Sequence, residues 1–205
     1  MSRLQVAVLA SHNGSNLRAL HRAALAADAL FTVALVISNN SGSGALAFAR
    51  EAEIPALHLS TRTHPDPDAL DEAMCSALST HSVDLVVTAG YMKKLGPRVR
   101  SHYASRIINI HPALLPRHGG KGMYGRAVHE SVLATGDKIS GPTVHILTDA
   151  YDSGPIIARR EVPVLPDDTP DTLASRVLAA EHELLPEVVQ RIAGRREMRP
   201  GLPTS

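Results

Sequence analysis

Along the first half of the chain, short and nearly continuous apolar runs alternate with stretches whose hydrophobic residues recur every three or four positions. Residues 4–10 and 31–38 belong to the first kind, as strands covered on both faces do. Residues 16–27, 44–53 and 67–80 carry helical spacing, and 56–59 makes a short strand between the last two. Further strands are predicted at 84–88 and 106–110. Strand and helix alternating in this way predict an α/β fold, a doubly wound and mostly parallel Rossmann-like sheet flanked by helices. The last third differs. Residues 142–148 and 155–164 predict longer strands forming a late antiparallel portion, and 170–194 a closing helix. The Pro-containing, basic tail from about 195 to 205 is expected to be flexible. No repeat or interdomain linker interrupts the pattern, so 1–205 is expected to be a single domain.

Composition narrows the class. At 44% hydrophobic and 20% charged residues the chain is that of a soluble globular protein. A formal charge of +1 argues against a nucleic-acid surface, which shows a basic face or stripe. No segment approaches the roughly 20 apolar residues that span a bilayer. The opening MSRLQVAVLA reads as a first strand rather than a leader. One cysteine, Cys75, excludes an internal disulfide, fits a reducing compartment such as the cytoplasm, and falls at a helix core position.

The densest chemistry is in RIINIHPALLP, residues 106–116. In a strand, Asn109 and His111 share one face while Ile108 and Ile110 share the other. An amide donor beside a titratable ring is what acyl chemistry uses to hold an oxyanion and move a proton; a half-buried strand with two polar residues facing water would show the same spacing. Parallel sheets bind ligands beyond the carboxyl ends of their strands. That rule gathers SHNGSN after the first strand, AGYMKKL after the 84–88 strand, and Asn109 with His111 around one cleft.

Other motifs admit two readings each. Gly14-Ser15-Asn16 can present helix N–H groups to a phosphate, or simply cap the helix. Gly42-Ser43-Gly44 formally opens a dinucleotide fingerprint, yet lies after the second strand and reads as a flexible helix start. Eleven histidines show no zinc-ligand spacing, so no metal is expected. His145 either lines the cleft or sits on it. TDAYDSGP (148–155) is a turn whose carboxylate, near His111, would favour imidazolium. HGGKGMYG (118–125), with four glycines, is a substrate-cradling or merely solvated loop in which Lys121 could meet an anion.

Taken together, NGSN, AGYM, NIHPALLP and TDAYDSGPII, in that order, resemble the folate-dependent glycinamide ribonucleotide formyltransferases of purine biosynthesis, over about residues 6–194. The resemblance implies transfer of the formyl group of 10-formyltetrahydrofolate to the amine of glycinamide ribonucleotide, without a metal. It implies Asn109, His111 and Asp152 as catalytic residues, and Gly14, Ser15, Asn16 and Glu181 as ribonucleotide contacts. Met92, Lys93, Lys94 and Leu95 would border the folate, with Asn109 touching its formyl group. Implied partners are the two small molecules, with no nucleic acid and no membrane; a homodimer is compatible. The chain departs from the family's usual pattern at His12, where glycine is common, and in the longer 118–125 loop. Arg62 is the candidate for the folate-binding arginine expected before residue 67. The related tRNA formyltransferases and formyltetrahydrofolate hydrolases are expected to carry further domains for which this length leaves no room. A non-catalytic nucleotide-binding module would be expected to lack one of Asn109, His111 and Asp152.

Overall fold

The computed structural model describes residues 2–197. Its elements are β1 (Leu4–Leu9), α1 (Ser15–Ala24), β2 (Phe31–Ser38), α2 (Gly44–Glu51), β3 (Ala56–His58), α3 (Pro67–Thr80), β4 (Leu85–Thr88), α4 (Pro97–His102) and β5 (Ile107–His111). They continue with α5 (Arg126–Ala134), β6 (Ile139–Ser140), β7 (Thr143–Ile146), β8 (Ile156–Arg159), β9 (Val162–Pro163) and α6 (Pro170–Glu197). Seven strands form one sheet in the order β3-β2-β1-β4-β5-β7-β8, parallel from β3 to β5 and antiparallel beyond. The direction of winding reverses between β1 and β4, the position where such sheets open a crevice at their carboxyl edge.

Each face of the sheet is buried by its own helices. Val6, Val8, Val87, Ile108, Ile110 and Val144 pack with α1, α2 and the second half of α6 through Leu17, Leu46, Leu185 and Val189. Ala7, Leu9, Val86 and Ile107 pack with α3 and α4 through Met74, Leu78 and Val99. Cys75 lies partly buried at the margin of that second core. A third, smaller cluster joins α5 to the first half of α6 through Val132, Leu173 and Val177, with Val162 of β9 beneath. The predicted split between Ile108 and Ile110 on one face and Asn109 and His111 on the other is therefore realised.

Three sequence expectations change. Residues 155–164 form two strands in two sheets, not one, and the 142–148 strand shortens to 143–146. At Gly141 (φ 141) the backbone passes so close to Arg160 that an added Cβ would lie 1.8 Å from its carbonyl oxygen. The chain leaves the large sheet at that crossing, and β9 pairs with β6 instead. Second, α4 and α5 are short helices that the apolar spacing did not announce. Third, α6 runs three residues past 194, so the tail predicted from about 195 begins as helix and its remainder, 198–205, lies outside the described residues. Pro186 sits inside α6 and removes one backbone donor. Burial of Leu184, Leu185, Val188 and Val189 around it offsets that loss. Among the described residues no helix is long and apolar enough to cross a membrane.

Candidate active site

Asn109 is held from both sides by residues in register with it. Thr88 of β4 and His145 of β7 are its direct pairing partners. Thr88 Oγ1 donates to Asn109 Oδ1 at 2.8 Å, and Asn109 Nδ2 lies 3.1 Å from His145 Nε2. The other ring nitrogen of His145 donates to the Ile146 carbonyl at 3.0 Å, which leaves Nε2 as the acceptor. One carboxamide N–H of Asn109 remains uncommitted, on a group whose orientation is fixed at both ends. Two positions along the same face, His111 is 3% exposed. Its Nε2 donates to the His118 carbonyl at 2.8 Å, so Nδ1, 3.6 Å from Asp152 Oδ2, is the nitrogen available for proton exchange. Thr143, the register partner of His111, donates to the Ala113 carbonyl and accepts from Leu115 N–H, which holds the PALLP turn against the strand.

Asp152 reaches this face from the turn between β7 and β8, with φ 52. Gly120 N–H donates to its Oδ2 at 2.9 Å, and its Oδ1 lies 3.6 Å from His145 Nε2. Burial works to raise the Asp152 carboxyl, but His145, the Gly120 N–H and His111 outweigh it and hold it below the ordinary carboxylate value. For His111 the balance goes the other way. Burial lowers its pKa and prevails over the opposing pull of Asp152 and of the His118 carbonyl. The sequence expectation that a nearby carboxylate would favour imidazolium has the right sign for that one interaction, but desolvation is larger, so the resting ring is neutral at neutral pH.

A second part of the site lies at the start of α1. Gly14 occupies the N-cap at φ 70, no side chain caps the helix, and an added Cβ would come within 2.9 Å of Ala45. Of the two readings of this loop, simple capping by Ser15 or Asn16 is not realised. Asn16 is turned inward, where Nδ2 donates to Glu181 Oε2 of α6 at 2.6 Å, and its Oδ1 has no hydrogen-bond partner. Burial pushes the Glu181 carboxyl up to about 7, against the opposing effect of Asn16. The Gly42–Gly44 stretch behaves as a helix start, with the Ser43 side chain accepting from Leu46 N–H.

Ser11 joins the loops on either side of the crevice. Its N–H donates to the Gly90 carbonyl at 3.1 Å, and its hydroxyl accepts from Met92 N–H at 2.8 Å. Beside it opens a groove of about 380 Å³ lined by His12, Asn39, His58, Arg62, Met92 and Lys93. Met92, Lys93 and Lys94 are exposed, whereas Leu95, expected beside them, is buried in the core with α3 and α4 and does not line the groove. Lys121 is exposed in the glycine-rich loop. Among the described residues, no group of three or more His, Cys, Asp or Glu side chains is placed to hold a metal ion. Sequence reasoning placed Ser11 and His118 in candidate loops without giving either a role of its own, and gave none to Thr88, which left a signal as the polar residue closing an otherwise apolar strand.

The chain resembles known proteins over nearly its whole length. The formyl transferase family matches residues 4–189. The chain is 40% identical over 195 residues to the chloroplastic phosphoribosylglycinamide formyltransferase of Vigna unguiculata, covering 95% of this chain and 62% of that protein. It thus spans under two thirds of that plant relative. To the phosphoribosylglycinamide formyltransferase of Escherichia coli it is 37% identical, covering 95% of this chain and 90% of that one. Among solved structures, phosphoribosylglycinamide formyltransferase from Brucella melitensis superposes with a TM-score of 0.87 at 38% identity, each chain fully covered. A formyltetrahydrofolate deformylase from Pseudomonas syringae gives a TM-score of 0.82 at 25% identity and is covered over 63% of its length. With the sheet reversal, the Asn109–His111 face and this match over nearly its whole length, the chain belongs to the formyl transferase family.

Proposed function

We propose that this protein transfers the formyl group of 10-formyltetrahydrofolate to the amine of 5-phosphoribosylglycinamide, as the names of its relatives suggest. The observation that carries the reading is the pinned Asn109 carboxamide, with one free N–H, two residues from a neutral His111 that faces Asp152. A formamide is a weak electrophile, so the barrier lies in the charged tetrahedral intermediate. The substrate amine attacks the formyl carbon, and the carbonyl electron pair moves onto oxygen. Asn109 donates to that oxyanion without having to reorganise, which is where such donors are most effective. His111 Nδ1 accepts the proton shed by the attacking nitrogen, and the imidazolium is stabilised by Asp152. Collapse then expels N10, which takes the proton as the C–N10 bond breaks.

The N-terminus of α1 with Gly14, Ser15 and Asn16 suits the ribonucleotide phosphate, and Glu181 its sugar or glycinamide portion. Met92, Lys93 and Lys94 border the folate. The reading needs no metal and no macromolecular partner; a homodimer is compatible with it. A lone cysteine suits a reducing compartment such as the cytoplasm. The test is formyl transfer from 10-formyltetrahydrofolate with the ribonucleotide present or absent, beside a His111→Ala control. Turnover that needs the ribonucleotide and vanishes in the variant is expected. Folate consumed without the ribonucleotide would instead make the protein a deformylase.

A further inference from the structure

The carbonyl that holds His111 belongs to a residue that is itself held by its side chain. His118 Nδ1 lies 2.8 Å from Ser131 Oγ on α5, and its Nε2 lies 2.8 Å from Asp137 Oδ2 just beyond that helix. Both ring nitrogens are committed, and the side chain is 7% exposed. The backbone of His118 sits at φ 53, a left-handed conformation that is unfavourable for a residue carrying a Cβ. In that conformation its carbonyl meets His111 Nε2–H. The next residues, Gly119 and Gly120, bring no side chain that could fix the segment in its place. The ring anchor to Ser131 and Asp137 holds the segment on one side of this carbonyl, and the Gly120 N–H bond to Asp152 holds it on the other.

We propose that His118, anchored by Asp137 and Ser131, is a positioning residue for His111: it fixes the tautomer protonated at Nε2 and so presents Nδ1 to Asp152 and the reacting atoms. The catalytic consequence rests on the formyl-transfer reading above. The tautomer itself does not.

The titratable groups around His111 are Asp152 from the β7–β8 turn, His145 from β7, His118 from the loop and His129 from α5. Of these, His118 alone contributes a carbonyl to Nε2–H. The test uses the whole protein with His118→Ala, His118→Asn, Asp137→Ala and the Ala/Ala double variant. Nitrogen-resolved NMR of ligand-free protein, with His111 assigned by a His111→Gln control, is expected to show one Nε2–H tautomer in the wild type and a mixture in each variant. In the transfer assay kcat is expected to fall roughly tenfold to a hundredfold with KM within about twofold. The double variant should lose no more than either single one. The acidic limb of the rate profile should move to lower pH, because a hydrogen bond favouring the charged ring is gone.

His118→Asn separates anchor from strain, since asparagine tolerates the left-handed region but is too short to make both ring bonds. Wild-type turnover in that variant would overturn the proposal, as would an unchanged tautomer in any variant that removes the anchor. Arg117→Ala is the control. Arg117 also bonds Asp137, but its side chain is 63% exposed and has no bond to His111, so no change is expected. Should the loop variants fail to fold, Ser131→Ala removes one ring bond from α5 alone. A smaller tautomer shift in the same direction is expected there, and none at all would refute the anchor. If the tautomer shifts while wild-type protein transfers no formyl group, the substrate reading falls and the positioning stands.

Discussion

Asn16 donates to Glu181 at 2.6 Å, a bond across 165 positions of sequence that ties the first turn of α1 to α6. It reaches a carboxyl group that burial has pushed up from 4.5 to about 7. The folded state therefore binds a proton that the unfolded state releases near 4.5. This group's stabilisation is complete below that pH and is lost as pH rises through about 7. The shift corresponds to about 3 kcal/mol. Urea unfolding at several pH values, compared between wild type and Glu181→Gln, should show the difference in stability changing by that order between pH 4.5 and 8. A difference independent of pH would contradict it.

The two-sided hold on Asn109 predicts graded losses of rate. Asn109→Ala removes the proposed oxyanion donor and should cost about 3 kcal/mol in barrier, or two to three decades in kcat. Thr88→Val keeps volume but frees one end of the carboxamide, so a smaller loss, roughly tenfold, is expected with KM little changed. Equal effects from the two variants would mean that Thr88 does more than orient.

Removing the carboxylate at Asp152 tests the balance at His111. Burial already places the ring below its ordinary 6.5, with Asp152 pulling upward. Asp152→Asn abolishes that pull, so the acidic limb of kcat/KM should move to still lower pH, with a lower plateau. The same depression means that His111 contributes stability that is full above about 6.5 and lost as pH falls through the folded-state value. An acidic limb that stayed in place, or moved upward, would remove Asp152 from this role.

Gly154 is the tightest point of the β7–β8 connection. A Cβ there would lie 1.8 Å from the Ile146 carbonyl oxygen, a backbone atom that cannot swing aside. Gly154→Ala should lower stability by about 3 kcal/mol in denaturant titration. Activity should fall with it, since the same turn carries Asp152.

The Asn109–His111 face was legible in the chain because strand periodicity alone assigns it, and the switch-point crevice followed from strand–helix alternation. His145 was undecidable from sequence, since a histidine between Val144 and Ile146 reads alike whether it orients a neighbour or faces water. The net direction at His111 was hidden for a different reason. Its carboxylate partner can be named from a motif, whereas desolvation depends on how completely the 112–120 segment covers the ring. His118 stood out only as the first residue of the glycine-rich loop, because its part is played by a backbone carbonyl and its anchor lies nineteen positions away at Asp137. The β8–β9 break was missed although Arg159, Arg160 and Glu161, three charged residues in a row, interrupt the apolar pattern there.

The small third core has a bearing on ligand grip. Val132, Leu173 and Val177 fasten α5 to α6, and Arg126 at the start of α5 adds bonds to Glu130 and Asp171. The glycine-rich segment 119–125 is thus a short tether between two fixed posts, His118 and the head of α5. Backbone ordering costs on the order of 1–2 kcal/mol per residue, and glycine is the most expensive residue to order. Confining that freedom to so few positions limits the entropy that any ligand settling against them would have to remove.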